Sequence, residues 1–262
     1  MTALTVIEPG WGTTVQDLGR VGYAHLGVPP SGMVDQRLGS LVNRLVGNPD
    51  GAALIETCGG LVLRAEQPVL LASSVDAAPV ALAAGATYRI PEGQRLWEYV
   101  AVRGGLAVEP VLASAATDTL SGLGPSPVVA GLALVVGPDP GTPITTDAAP
   151  VGLLADTARL LPGPRADWVT VDWSVPLTVS DTSRVGVRLA GARLTRLRLD
   201  ELPSEGLVRG AVQAPPGGEL VMMLADHPTT GGYPVVAVVH PDDVATVAQH
   251  RPGAAVRFRA LG

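Results

Sequence analysis

Short runs of apolar residues, broken every few positions by glycine, proline or a polar cluster, fill most of the chain. They lie at 61–64, 69–72, 97–102, 132–136, 169–171, 185–189, 220–224, 235–239 and 255–258. In Val185-Gly-Val-Arg-Leu the apolar positions alternate, as a strand with one buried face requires. Many short strands between turn signals predict an all-β sandwich or barrel rather than a parallel βαβ array. The expected fold class is mainly β.

Three stretches depart from this pattern. Over 33–46, Val34, Leu38, Leu41, Val42, Leu45 and Val46 recur at the spacing of one helix face. Ser31 is placed to be the N-cap of this helix, Asp35 falls in its first turn, and Gly47-Asn48-Pro49 ends it. A weaker helical pattern covers 151–160, before Pro162-Gly163-Pro164. A third helix is expected after His240, opening on Pro241, Asp242 and Asp243, with Val244 and Val247 facing inward and Arg251-Pro252-Gly253 as the stop.

The chain also echoes itself. Ile90-Pro-Glu-Gly-Gln-Arg-Leu leads into a strand and then Gly104-Gly105, and Ala214-Pro-Pro-Gly-Gly-Glu-Leu leads into a strand and then a loop with Gly231-Gly232. Either two related β units stand in tandem or two hairpins coincide by chance. The tandem reading puts one domain at 1–150 and another at 151–262, with strand exchange allowed and the Ala/Pro/Gly-rich 137–150 as connector.

Composition narrows the function. At 262 residues and 47% hydrophobic, the chain has material for a large core, and disorder is excluded as its general state. The apolar stretch at 128–136 is far shorter than the ~20 residues of a spanning helix and is interrupted by Gly131. The opening residues lack the basic-then-apolar order of a secretory signal, so a soluble, cytoplasmic chain with no membrane partner is expected. A net charge of −6 disfavours nucleic acid. All 18 basic side chains are Arg and none is Lys, which removes lysine Schiff-base chemistry, a P-loop lysine and a biotinylated lysine from this chain. Cys58, the single cysteine, has neither a helix signal nor a basic neighbour to lower its pKa and reads as a buried, inert thiol.

Standard catalytic motifs are missing. The chain holds no Gly-x-Ser-x-Gly, His-Glu-x-x-His, Cys-x-x-Cys, Rossmann fingerprint or P-loop, and His25, His227, His240 and His250 show no metal-ligand spacing, so no metal is expected. Chemistry is therefore sought in two polar loops. The first, 15–32, carries Gln16, Asp17, Arg20, His25 and Ser31 ahead of the first helix, a setting suited to a carboxylate or phosphate. Its plain reading is that Ser31 caps the helix and Asp17 pairs with Arg20, while His25 is either a packed imidazole or a ligand contact. The second, 224–234, crowds Asp226, His227, Thr229, Thr230 and Tyr233 between two apolar strands. The hydroxyls and glycine amides suit an anion nest and Asp-His suits acid–base work, against the plain reading of a turn satisfying its own backbone.

Further candidates are Arg103 at a strand end, Asp118 in a Thr-Asp-Thr-Leu-Ser-Gly turn, and Glu205 and Gln213 as cleft-lining or edge groups. Arg184, Arg188, Arg193, Arg196 and Arg198 read plainly as a solvated strand face and more sharply as an interface for an acidic partner.

These segments also carry a resemblance. Val15-Gln-Asp-Leu-Gly-Arg, His25-Leu-Gly-Val-Pro-Pro-Ser-Gly-Met-Val-Asp, Asn43-Arg-Leu-Val-Gly-Asn-Pro, Val102-Arg-Gly-Gly, Thr117-Asp-Thr-Leu-Ser-Gly, Glu201-Leu-Pro-Ser-Glu-Gly and Ala225-Asp-His-Pro-Thr-Thr-Gly-Gly-Tyr-Pro follow in that order. Together they resemble the biotin-dependent carboxyltransferase, or allophanate hydrolase subunit 2-like, family, which includes the C component of bacterial 5-oxoprolinase. Met33-Val34 departs from the Ala-Met usual before the aspartate. The resemblance implies two cyclophilin-like β-barrels in tandem with a few short helices. It implies a member of an ATP-dependent complex that opens 5-oxoproline to glutamate, with ATP bound by this chain or by a partner. The partners implied are a companion of the kinase-inhibitor type and a third oxoprolinase subunit. The alternatives are a carboxyltransferase using a separate biotin carrier, since this chain has no lysine for covalent biotin, and a non-catalytic regulator of the companion. On the leading reading His227, Asp226 and Thr230 are catalytic. Arg20, His25, Ser31, Arg103, Asp118, Glu205, Gln213, Thr229 and Tyr233 then bind substrate.

Overall fold

The computed structural model describes residues 2–91 and 93–261. They divide into two compact units, 1–20 with 31–153 and 21–30 with 154–262.

The first unit carries β1 (Thr2–Pro9), β2 (Thr14–Gln16), α1 (Gln36–Leu45), β3 (Leu54–Thr57), β4 (Leu61–Ala65), β5 (Val69–Ser73), β6 (Pro79–Leu82), β7 (Thr87–Arg89), β8 (Glu98–Val102) and β9 (Ala133–Val135). The strands form a four-stranded sheet, β7-β4-β1-β9, and a five-stranded sheet, β2-β3-β8-β5-β6. In β1, Ala3, Leu4 and Val6 are buried and Ile7 and Glu8 are exposed, and the simple alternation of a strand is broken where the register against β4 shifts between Val6 and Glu8. Leu4, Val6, Ile55, Leu63, Leu71 and Val100 belong to one apolar cluster drawn from both sheets.

The helix expected at 33–46 runs from Gln36 to Leu45 and packs on β8 and β5. Its N-cap is Asp35, whose Oδ1 accepts from Leu38 N at 3.0 Å, and not Ser31. Ser31 and Gly32 both lie in the left-handed region, at φ 54° and 84°, so the chain turns there before the helix begins. Gly39 lets α1 approach closely, because a Cβ on it would meet the Met33 thioether and the Tyr99 ring. Cys58 is half-buried, not fully buried as expected.

The second unit carries β10 (Thr157–Pro162), β11 (Val169–Val171), β12 (Leu177–Thr182), β13 (Gly186–Ala190), β14 (Leu194–Arg196), β15 (Glu205–Gly206), β16 (Ala211–Gln213), β17 (Leu220–Met223), β18 (Thr230–Gly231), β19 (Val235–Val239), α2 (Val244–Ala248) and β20 (Ala255–Ala260). Seven strands close a barrel in the order β10-β19-β16-β17-β13-β12-β20, and β20 returns to β10 in parallel. Val179, Val187, Leu189, Leu220, Met222 and Val256 are fully buried within this unit. β11 with β14 and β15 with β18 make two small side ribbons.

The helix expected over 151–160 is not formed. Residues 157–162 are β10, where Ala158 and Leu160 are buried and Thr157 and Leu161 exposed, a period of two and not of 3.6. The helix expected after His240 forms as a 3₁₀ turn, Pro241–Asp243, running into α2, with His240 Nδ1 accepting from Asp242 N at 3.3 Å. Both copies of the internal echo feed strands with partners on either side, β8 between β3 and β5 and β17 between β16 and β13. No helix among the described residues is long and apolar enough to cross a membrane.

Candidate functional site

In the second unit, the loop after β17 begins at a buried ion pair. Asp226 accepts two hydrogen bonds from the Arg184 guanidinium, Nε to Oδ2 and Nη2 to Oδ1, both at 2.9 Å. The two side chains are 0% and 3% exposed, and Asp226 N donates to Arg184 O at 2.9 Å. Arg184 is thus part of the core and not of a solvated face. The other four arginines of that cluster serve separate local contacts, Arg188 with Glu219, Arg193 with Asp172, Arg196 on Ala214 O, and Arg198 with Asp167 and over the Trp168 ring.

His227 follows, 3% exposed. Its Nδ1 lies 2.7 Å from Pro228 O. A carbonyl only accepts, so Nδ1 carries the proton and Nε2 keeps its lone pair. Burial pushes the His227 pKa below the ordinary imidazole value; Arg209 pushes the same way, and the Pro228 carbonyl and Asp226 oppose. The ring is therefore a neutral base of fixed tautomer at pH 7.

Downstream, the loop becomes strand. Thr230 and Gly231 pair with Gly206 and Glu205, and Thr229 O accepts from Leu207 N at 2.9 Å. Glu205 forms a bidentate pair with Arg165, which holds its carboxyl below the usual range. Buried Gln213 donates from Nε2 to Tyr233 O at 3.1 Å and abuts Gly231, where a Cβ would come within 2.7 Å of it. Asp226, His227, Thr229, Thr230, Glu205, Gln213 and Tyr233 thus share one loop and the strands beside it. His25 is exposed on the segment 21–30, its Nδ1 3.1 Å from Gly22 O, with no bond to this loop.

The first unit gathers a different set. Arg20, Ser31 and Gln16 converge on the peptide groups of Ala116 and Thr117: Arg20 Nη2 donates to Ala116 O, Ser31 Oγ to Thr117 O at 3.0 Å, and Gln16 Nε2 to Thr117 O at 2.9 Å. Asp17 does not pair with Arg20; it accepts from Gly19 N, Ser114 Oγ and Ala115 N. Asp118 turns to Leu120 N, Ser121 N and Ser121 Oγ. Arg103 ties Val46 O and Thr142 O together and pairs with Asp139, a brace within its unit.

The model of the carboxyltransferase domain, subdomain A and B, matches residues 26–260. The chain belongs to this family. The C subunit of the 5-oxoprolinase of Escherichia coli (strain K12) is 33% identical over 97% of this chain and 90% of its own length. The crystal structure of TTHA0988 superposes with TM-score 0.88 at 36% identity, covering 99% of this chain and 55% of that one. The urea carboxylase of Kluyveromyces lactis superposes with TM-score 0.89 at 25% identity, covering 100% of this chain and 27% of that one. The chain therefore spans about half of the first solved relative and about a quarter of the second.

Within this carboxyltransferase-domain chain, the sequence reading did not single out Arg209, whose charge acts on the His227 ring, or Thr117, whose carbonyl accepts from Gln16 and Ser31, and it placed Arg184 only within the arginine cluster. Only the spacing of Asp226 and His227 was a local signal. Among the described residues, no three His, Cys, Asp or Glu side chains gather as a metal site.

Proposed function

We propose that this chain is the C-type member of an ATP-dependent 5-oxoprolinase complex, and that His227 is its acid–base group. The observation that carries the reading is the neutral, tautomer-fixed imidazole of His227 (Nδ1 2.7 Å from Pro228 O) in a chain that matches the C subunit of a 5-oxoprolinase over 97% of its length. In this reading Nε2 takes a proton from the attacking water and returns it to the lactam nitrogen as the ring C–N bond opens. Arg184 and Asp226 are positioning residues that hold the loop at His227. ATP binds this chain or a partner, and the partners are a kinase-inhibitor-type companion and a third subunit.

The test combines the chain with the companion and third subunits, 5-oxoproline and ATP. Glutamate is expected to form, and His227→Asn is expected to lower kcat by about 10²–10⁴-fold, the range of general acid–base catalysis, with assembly intact. No glutamate from the wild-type mixture overturns the reading, and loss of assembly with H227N points to a regulator of the companion.

A second reading is carboxyl transfer from a biotin carrier, favoured by the family match and the urea carboxylase likeness. The carrier must be another chain, because these 262 residues contain no lysine. Inhibition of turnover by avidin would select this reading.

A further inference from the structure

Trp11 stands 76% exposed on the turn between β1 and β2. Its backbone is fixed on both sides: Trp11 N donates to Gly59 O at 2.9 Å, and Trp11 O accepts from Cys58 N at 2.8 Å. Gly10 and Gly12 flank it in the left-handed region, at φ 70° and 58°, and a Cβ on Gly10 would strike Gly59 O. The indole N–H has no hydrogen-bond partner among the described residues. A side chain carried on so fixed a turn loses little further freedom when a partner covers it.

The same unit holds a hollow of about 290 Å³. Buried Val15, Leu106 and Leu134 line it, together with Val129 and Val135, which are 58% and 39% exposed. Among the described residues no charged side chain lines the hollow, and its one side-chain polar group is the Ser126 hydroxyl. Ser126 is exposed, and that hydroxyl has no partner among the described residues. Val128 N donates to Thr13 O at 3.0 Å, so the wall formed by 125–129 lies beside the turn that carries Trp11. Single exposed apolar residues are ordinary on protein surfaces. A rigid indole beside an apolar hollow of matching character is a pair of complementary features.

The hollow has room for one large aromatic side chain, and an indole brings a single donor to the single hydroxyl. A charged or many-hydroxyl ligand would leave its polar groups unpaired against the aliphatic lining. Trp11 does not fill the hollow of its own chain, because it is exposed. Knob and hollow on adjacent segments of one unit suit a two-fold pair, in which both copies use the same patch and each contact is made twice. We infer that Trp11 of one copy inserts into this hollow of a second copy, its indole N–H donating to Ser126 Oγ, while the reverse contact closes a dimer. Two indoles burying roughly 150–250 Å² each, with the residues around them, fall at the low end of specific interfaces, so the dimer is weak and reversible. The inference does not depend on His227 or on lactam chemistry.

The test is sedimentation velocity of the whole chain over about 1–200 µM, the range of a weak interface, with tryptophan emission read on the same samples. Wild type is expected to pass from monomer to dimer. The Trp11 emission, isolated by subtracting that of Trp11→Ala, is expected to move to shorter wavelength over the same range. Trp11→Ala and Val129→Asp, both at exposed positions, are each expected to weaken association by about tenfold or more, the loss of a buried aromatic anchor. In Val129→Asp the Trp11 emission should stay that of an exposed indole at every concentration. Urea midpoints equal to wild type establish that a variant is folded, and either variant suffices if the other is not. A monomer at all concentrations, association that a folded variant leaves unchanged, or a Trp11 shift seen only when the companion subunit is added overturns the inference. The last of these assigns the indole to a different partner. Turnover is not measured, so failure here is separate from failure of the 5-oxoprolinase reading.

Discussion

At the scale of single residues, Arg184 and Asp226 show why one contact outweighs several surface charges. Both are buried and their geometry is bidentate, so removing one partner strands the other's charge in the core. Asp226→Ala is expected to cost about 3–5 kcal/mol, read as a lower urea midpoint with an unchanged m-value. Arg188 with Glu219 is exposed at 3.9 Å, and removing either side chain should change stability by less than about 1 kcal/mol. His227 contributes in a pH-dependent way. Its folded pKa lies below its unfolded value near 6.5, so between these two values the unfolded chain binds more protons. The stabilisation is present above pH 6.5 and is lost as pH falls toward the folded pKa. Urea midpoints taken from pH 7.5 down to 5 should therefore fall more steeply for wild type than for His227→Asn; parallel curves would refute the assignment. The adjacency of Asp226 and His227 was legible because it is local. The partner of Asp226 was not, because it lies 42 positions away.

At the scale of elements, periodicity did most of the work. The apolar runs at 61–64, 69–72, 169–171 and 235–239 correspond to β4, β5, β11 and β19 with ends moved by at most a residue. The α1 helix was legible for the same reason, and its cap was not. Ser31 has a good capping side chain, but its backbone sits at φ 54° and its hydroxyl donates to Thr117 O. Asp35, four residues on, takes the cap. Asp35→Ala is expected to destabilise the protein by about 1 kcal/mol through the lost bond to Leu38 N, measured by urea unfolding. Residues 151–160 failed as a helix because a short apolar segment fits either period, and barrel closure through β19 and β20 recruited its second half as β10.

At the scale of the whole molecule, the order of strands in the barrel is far from their order in the chain. β20, the last strand, closes the barrel by pairing in parallel with β10, the first, and antiparallel with β12. Ending the chain at Pro252 removes β20 and exposes two edges, so the second unit should lose its cooperative unfolding. Two-state urea curves and unchanged near-ultraviolet dichroism from the shortened chain would contradict this. The segment 21–30 groups with the second unit although 31–153 separates it in sequence from the rest of that unit.

What the sequence determined by itself is local: strand and helix periods, turn positions, the absence of lysine, and the polar density of two loops. Each depends on neighbours a few positions apart, where backbone geometry and side-chain chemistry act directly. The tertiary structure decided the pairings. It buried Arg184 against Asp226, set the His227 ring against the Pro228 carbonyl and turned 157–162 into a strand. Such outcomes depend on which distant segments meet and on how much water is excluded where they do, and composition or spacing carries no record of that.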